Sequence, residues 1–178
     1  MIYFTSDLHF YHEHIIKNVH RPFPNVDKMN STLIKNWNKK ITFDDEVYIL
    51  GDFTMKGPDL ATNILYQLKG KKHFIRGNHD NFVDNPNFDQ SIFASIQDYA
   101  EIEYANTRFI LCHYPFLEWN GSHKGSINLH GHQHNHDVYN YQNLKDGIRR
   151  YDVGVDANHM EPVSGEDIIA FFSMMGTK

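Results

Sequence analysis

The sequence predicts an α/β layered sandwich, with a βαβαβ parallel core and mixed sheets flanked by helices. Two observations carry that prediction. Up to residue 75, short apolar runs rich in β-branched and aromatic residues alternate with segments of helical apolar spacing, the pattern of parallel strands joined by right-handed crossovers. After residue 80 short strand-like runs follow one another between turn-rich stretches, so the second half is expected to contribute more antiparallel strand.

Ile2 to Ser6 reads as a first buried strand that stops at Asp7. His12 to Val19 fits a short helix, which the two prolines of Arg21-Pro22-Phe23-Pro24 forbid from continuing. From Val26 to Lys40, Met29, Leu33, Ile34, Trp37 and Ile41 fall on one face at helical spacing and belong to the core. Glu46 to Leu50 is the second strand, ended by Gly51-Asp52. Gly57-Pro58-Asp59 opens a third helix, with Leu60, Ile64, Leu65 and Leu68 on its apolar face and Gly70 at its end. Lys72 to Ile75 is the third strand, and it leads into Arg76-Gly77-Asn78-His79-Asp80.

Beyond it, Asn81 to Asn87 is turn-rich. Ile96 to Tyr104 and Thr107 to Cys112 are expected to pair around Ala105-Asn106. Ser126 to Leu129, His136 to Tyr141 and Tyr151 to Val155 read as further strand-like runs. A last helix spans Gly165 to Met174, with Ser164 as N-cap and Asp167 replacing the usual glutamate of a capping box.

The 178 residues fit one domain (1–178), long enough to bury a core without disulfides or a structural metal. No run approaches the roughly 18 apolar residues of a membrane span. The opening Met1-Ile2-Tyr3-Phe4-Thr5 goes straight into a strand with no signal-peptide pattern. A single cysteine, Cys112, makes a reducing cytoplasm the simplest expected home. The net charge of −5 argues against a protein that coats nucleic acid.

The 13 histidines stand out, and their chemistry gathers in five fragments: Asp7-Leu8-His9, Gly51-Asp52, Gly77-Asn78-His79-Asp80, His113 and Gly131-His132-Gln133-His134. Gly77 to Asp80 taken alone also reads as a turn, because Gly, Asn and Asp tolerate turn backbones. Placement argues for more. Asp7, Asp52 and Asn78 each lie within three residues of a predicted strand end in one βαβαβ unit, where open α/β sheets bind ligands. Asp7 and His9, like His132 and His134, are two apart, so an extended backbone would aim both side chains of each pair to one side. Carboxylates, imidazoles and an amide oxygen together suit manganese, iron, zinc or nickel better than calcium or magnesium alone.

This ordered set resembles the calcineurin-like metallophosphoesterase superfamily, with Cys112-His113 where many members carry Gly-His. The chain looks like a small member of it, without large added domains. The resemblance implies a dinuclear centre of two divalent transition-metal ions, manganese first among the candidates. One ion would be held by Asp7, His9, Asp52 and His134. The second would be held by Asp52, Asn78, His113 and His132, with Asp52 as the bridge. It implies hydrolysis of a phosphomonoester or phosphodiester by a hydroxide shared between the ions. His79, which neither coordination set needs, is expected to protonate the leaving oxygen or to stabilise charge on the phosphoryl group, with Asp80 holding its ring and favouring the charged form.

The expected substrate is a small phosphoester or nucleotide. Tyr114 to Gly125, carrying Tyr114, Phe116, Trp119, His123 and Lys124, is expected to have both ends near the metals and to form one wall of the pocket. Two alternatives stand beside catalysis: a metal-binding scaffold with the same fold that serves as an interaction module, and a nucleic-acid-binding module, which the acidic balance disfavours. Arg76 is open between a phosphate contact and a surface ion pair. His12, His14, His20, His130, His136 and His159 have no assigned role.

Overall fold

The computed structural model describes residues 1–174. In chain order the strands are β1 (Ile2–Thr5), β2 (Glu46–Leu50), β3 (Lys71–Ile75), β4 (Ser95–Gln97), β5 (Tyr99–Tyr104), β6 (Thr107–Cys112), β7 (Ile127–His130), β8 (Arg150–Asp152) and β9 (Val163–Ser164). The helices are α1 (Glu13–Asn18), α2 (Val26–Lys40), α3 (Pro58–Gln67), α4 (Asp137–Lys145) and α5 (Gly165–Ser173). α2 has the range its apolar spacing predicts. Ser164 caps α5, its hydroxyl accepting from the Asp167 N–H. No helix among the described residues is long and apolar enough to cross a membrane.

Two mixed sheets form, in the orders β4-β3-β2-β1-β9 and β5-β6-β7-β8. As the alternation predicts, β1, β2 and β3 are mutually parallel. Strand periodicity then sorts their side chains to two faces. Tyr3, Val47, Ile49 and Phe74 pack with Met29, Leu33 and Trp37 of α2 and Ala61, Ile64 and Leu65 of α3. Ile2, Phe4, Leu50 and Ile75 face the second sheet and meet Phe109, Leu111, Ile127 and Leu129, closed by Ile168 and Phe172 of α5. On α3 the third inward position is Ala61 and not Leu60, which is exposed.

The second half departs from expectation in three places. Ile96 to Tyr104 is not one strand. β4 joins the first sheet beside β3, the chain crosses at Asp98, and β5 pairs antiparallel with β6 in the second sheet. Antiparallel pairing is also scarcer than predicted, since β6, β7 and β8 are parallel. Finally, the run His136 to Tyr141 begins α4, the crossover helix between β7 and β8. Its inward residues are Asn140 and Asn143, so it has no apolar period to betray a helix. Asn140 instead serves the edge strand β8. Its amide donates to the Asp152 carbonyl at 3.1 Å and its carbonyl accepts from the Asp152 N–H at 2.8 Å, covering backbone groups an edge would leave unpaired.

Candidate metal centre

The parallel strands of both sheets release their chains at one rim. β1 ends before Asp7, β2 before Gly51-Asp52, β3 before Gly77-Asn78, β6 before His113, and β7 before Gly131-His132. The rim is stitched across the sheets by the Val155 N–H, which donates to the Ser6 carbonyl at 3.1 Å, and within the second sheet by the Gly131 N–H, which donates to the His113 carbonyl at 2.9 Å. Two glycines permit this proximity. A Cβ on Gly131 would collide with Ser6 Oγ and Asp7 Oδ2, and one on Gly77 with Asp52 Oδ1.

The backbone there is not extended. Asp7, His9, Asp52, His132 and His134 all have left-handed φ, at 56°, 49°, 54°, 71° and 50°. Non-glycine residues pay on the order of 1 kcal/mol each for that conformation, a strain typical of functional sites. The two-residue spacing therefore gathers its side chains through tight left-handed corners, which also send Leu8 into the core, and not through strand alternation.

Two trios result. Asp7, His9 and His134 form one, and Asp52, His113 and His132 the other, with the donor atoms of each within 4.8 Å of one another. Asp52 lies between them. Its Oδ2 is 3.5 Å from His9 Nε2 in the first trio and its Oδ1 is 3.6 Å from His113 Nε2 in the second. Asn78 joins the second trio, with Oδ1 3.0 Å from both His113 Nε2 and His132 Nδ1. All seven expected ligands are brought to one rim.

The donor chemistry fits cations. His113 Nδ1 lies 2.7 Å from the Leu50 carbonyl and must donate to it, which leaves Nε2 a lone pair in the neutral ring. Burial lowers the His113 pKa and so favours that neutral ring. Its lone pair then faces the carbonyl oxygen of Asn78, acceptor against acceptor, an arrangement that a cation relieves. His9 Nε2 is likewise buried without a hydrogen-bond partner. Such unsatisfied ring nitrogens beside two buried carboxylates are costly unless positive charge is supplied.

Two surrounding groups act differently from expectation. Asp80 does not hold the His79 ring. Its Oδ2 accepts from the N–H groups of Asp52 and Gly77, each at 2.7 Å, and its Oδ1 from the Phe53 N–H at 2.8 Å. Those three amides occupy the carboxylate, which braces the Asp52 loop against the Asn78 loop. His79 is half-exposed at the rim, with Nε2 4.0 Å from Asp52 Oδ2. Arg76 reaches Asp84 and Asp98 at the surface.

The segment from Tyr114 to Gly125 is the second correction. Because β6 and β7 are parallel, it must run from the rim back to the opposite end of the sheet. Only its start stays near the site: the Tyr114 ring lies edge-on to His132, with centroids 4.7 Å apart. Trp119 is pinned by its indole N–H to Ser126 Oγ at 3.1 Å. His123 and Lys124 line a cleft of about 710 Å³ with Thr107, Arg108 and Arg149, at the strand starts far from the trios.

Arg21 and Asp156 carry a role that no motif announced. The two form a buried bidentate pair, Nε to Oδ1 and Nη2 to Oδ2, both at 2.8 Å. Arg21 also donates to the carbonyls of Asp7 and Leu8, while Asp156 Oδ2 accepts from His134 Nδ1 at 2.8 Å. The pair thus fixes the corner bearing Asp7 and aims His134 Nε2 inward, the carboxylate–histidine support common behind metal ligands. Although burial raises it, these partners hold the Asp156 carboxyl down at about 2. An acid just after the apolar Val153-Gly154-Val155 run repeats the placement of Asp7 and Asp52 and was the available signal. Arg21, between His20 and Pro22, had none.

Without cations the site should be sensitive to pH. Burial pushes the Asp7 carboxyl up to about 8 and the His9 imidazole down to about 2. An acid that holds its proton more tightly when folded loses stability as pH rises from its unfolded value toward its folded one. His9 acts in the opposite sense, but only below its ordinary value of 6.5. Although burial opposes it, Asp156 and Asp7 raise the His134 pKa, so His134 also loses stability upward through its folded value. Between pH 6.5 and 8, metal-stripped protein is therefore expected to lose on the order of 2 kcal/mol of stability. A falling melting temperature over that window, flattened by added divalent metal, is the result to look for; a flat profile in stripped protein would contradict it.

Comparison with known proteins agrees with this geometry. The family model for calcineurin-like phosphoesterases matches residues 1–170. An uncharacterised protein of Methanocaldococcus jannaschii is 36% identical over 170 residues, spanning 94% of this chain and 89% of the relative. The gene 66 protein of Mycobacterium phage D29 is 27% identical over 184 residues, with 89% of each covered. Among solved structures, a protein of unknown function from Aquifex aeolicus superimposes with a TM-score of 0.73 at 27% identity, over 96% of this chain and 98% of that one. With two Asp/His clusters at the shared rim of its sheets and a family match over nearly its whole length, the chain belongs to the calcineurin-like phosphoesterase family.

Proposed function

We propose that the protein is a dinuclear metal-dependent phosphoesterase acting on a small phosphomonoester or phosphodiester, including nucleotide-type substrates. The observation that carries this reading is Asp52, whose two oxygens face opposite trios. Two divalent ions there, manganese first among the candidates, would lower the pKa of water and neutralise charge at phosphorus. Asp7, His9, Asp52 and His134 hold one ion, and Asp52, Asn78, His113 and His132 the other. Asn78 gives an oxygen without a charge, which limits the negative charge around the second ion. His79, half-exposed beside Asp52, would give a proton to the departing oxygen. The partly exposed Tyr114 ring beside His132 offers a flat flank for a base or an aromatic leaving group.

The test measures metal content of the purified protein together with hydrolysis of p-nitrophenyl phosphate and bis-p-nitrophenyl phosphate with manganese added. About two ions per chain and turnover of at least one ester are expected. Two ions with no turnover of either would favour the scaffold reading, and at most one ion would remove the dinuclear one.

A further inference from the structure

Three of the four imidazoles of the centre follow one rule, His132 alone among them turning Nδ1 toward Asn78, and the rule exposes a residue that no motif assigned. His113 turns Nε2 inward and gives its Nδ1 proton to the Leu50 carbonyl. His134 turns Nε2 inward and gives its Nδ1 proton to Asp156. His9 also turns Nε2 inward, toward Asp52, and its Nδ1 lies 3.4 Å from Nδ1 of His12. The rings sit 5.3 Å apart at 55°. The turn builds this contact in, because the His12 N–H donates to the His9 carbonyl at 3.1 Å.

Two facing ring nitrogens share one proton, and its side depends on what His9 Nε2 does. A neutral imidazole has one N–H and one lone pair. When Nε2 gives its lone pair to a cation, the proton must sit on Nδ1, and among the described residues His12 Nδ1 is the acceptor within reach. His12 then carries its own proton on Nε2.

We infer that His12 is a positioning residue for the first ion. It accepts the Nδ1 proton of His9 and so fixes that ligand's tautomer and ring angle, as Leu50 and Asp156 do for theirs. This rests on the dinuclear reading above. It adds that one outer support is an imidazole, where carboxylates and carbonyls are usual.

Cobalt binding separates the two claims. Metal-free wild type, His12→Phe, His12→Leu and His12→Asn are titrated with Co²⁺, following stoichiometry by equilibrium dialysis and the visible absorption of the bound ion. Phe and Leu lack the acceptor, whereas Asn carries Oδ1 as many bonds from Cα as Nδ1 is. His12→Phe and His12→Leu are expected to weaken one of the two sites by ~10- to 100-fold and to alter its absorption, leaving the other site unchanged. His12→Asn should recover most of that affinity and the wild-type spectrum. Wild-type affinity and spectrum in either acceptor-free variant would overturn the inference alone. An Asn variant as weak as Phe would also overturn it, because the acceptor would not then be the cause. Wild type binding fewer than two cobalt ions would remove the dinuclear reading and the inference together.

Discussion

Asp52→Asn is expected to abolish the bridged centre while leaving the fold in place, lowering turnover by at least ~10³-fold. Among the described residues the Asp52 carboxylate has one hydrogen bond, accepted by Oδ1 from the His79 N–H at 3.0 Å. An asparagine oxygen can accept that bond too, so the substitution removes charge and the second oxygen with little change in packing. What it puts in place of Oδ2 is an NH₂ group facing His9 Nε2, 3.5 Å away in the native protein. A neutral amide cannot lend an oxygen to each of two cations, and the site loses the anion that lets both sit close together. Metal analysis should fall from about two ions per chain to one or fewer, with a melting temperature in chelator equal to that of wild type. Unchanged metal content and turnover would refute the shared role of Asp52.

His79→Ala is expected to keep both ions and lower turnover by ~10²- to 10⁴-fold, the range for a lost general acid or base. The ring belongs to neither trio and to neither apolar core cluster. Its removal should therefore change stability by no more than about 0.5 kcal/mol. The backbone N–H that holds Asp52 survives the substitution. If the role is protonation, the loss should shrink for nitrophenyl esters, whose leaving group departs without a proton, and be largest for alkyl esters. Equal losses on both would move His79 from proton donor to charge stabiliser, and full turnover would leave it structural.

How much was legible follows from which interactions are local. The first three strands and α2 were readable because each carries its own apolar period, and in a parallel unit that period suffices to put the chain ends of β1, β2 and β3 at one rim. The rim residues were readable for the same reason: Asp7, Asp52 and Asn78 are polar residues directly after buried strands, where packing gives no cause for them. α4 was unreadable because its buried face is asparagine, satisfied by hydrogen bonds to β8 that no helical period encodes. The break at Asp98 was hidden as well, since Ile96 to Tyr104 is uniformly strand-like and only the competition between two sheets divides it.

By itself, then, the sequence determined the parallel core and the five fragments in which metal-binding chemistry gathers, since these are matters of local pattern and residue type, while the choice of seven expected ligands among them came from the family it resembles. The tertiary structure decided what those groups do to one another. It turned Asp80 toward three backbone amides and away from His79, carried His123 and Lys124 to the far end of the sheet because β6 and β7 run parallel, and set Arg21, Asp156 and His12 behind the ligands. Those outcomes depend on distance and direction between residues up to 135 positions apart, and a hydrogen bond, which weakens steeply off its axis, is settled only once the chain has closed around it.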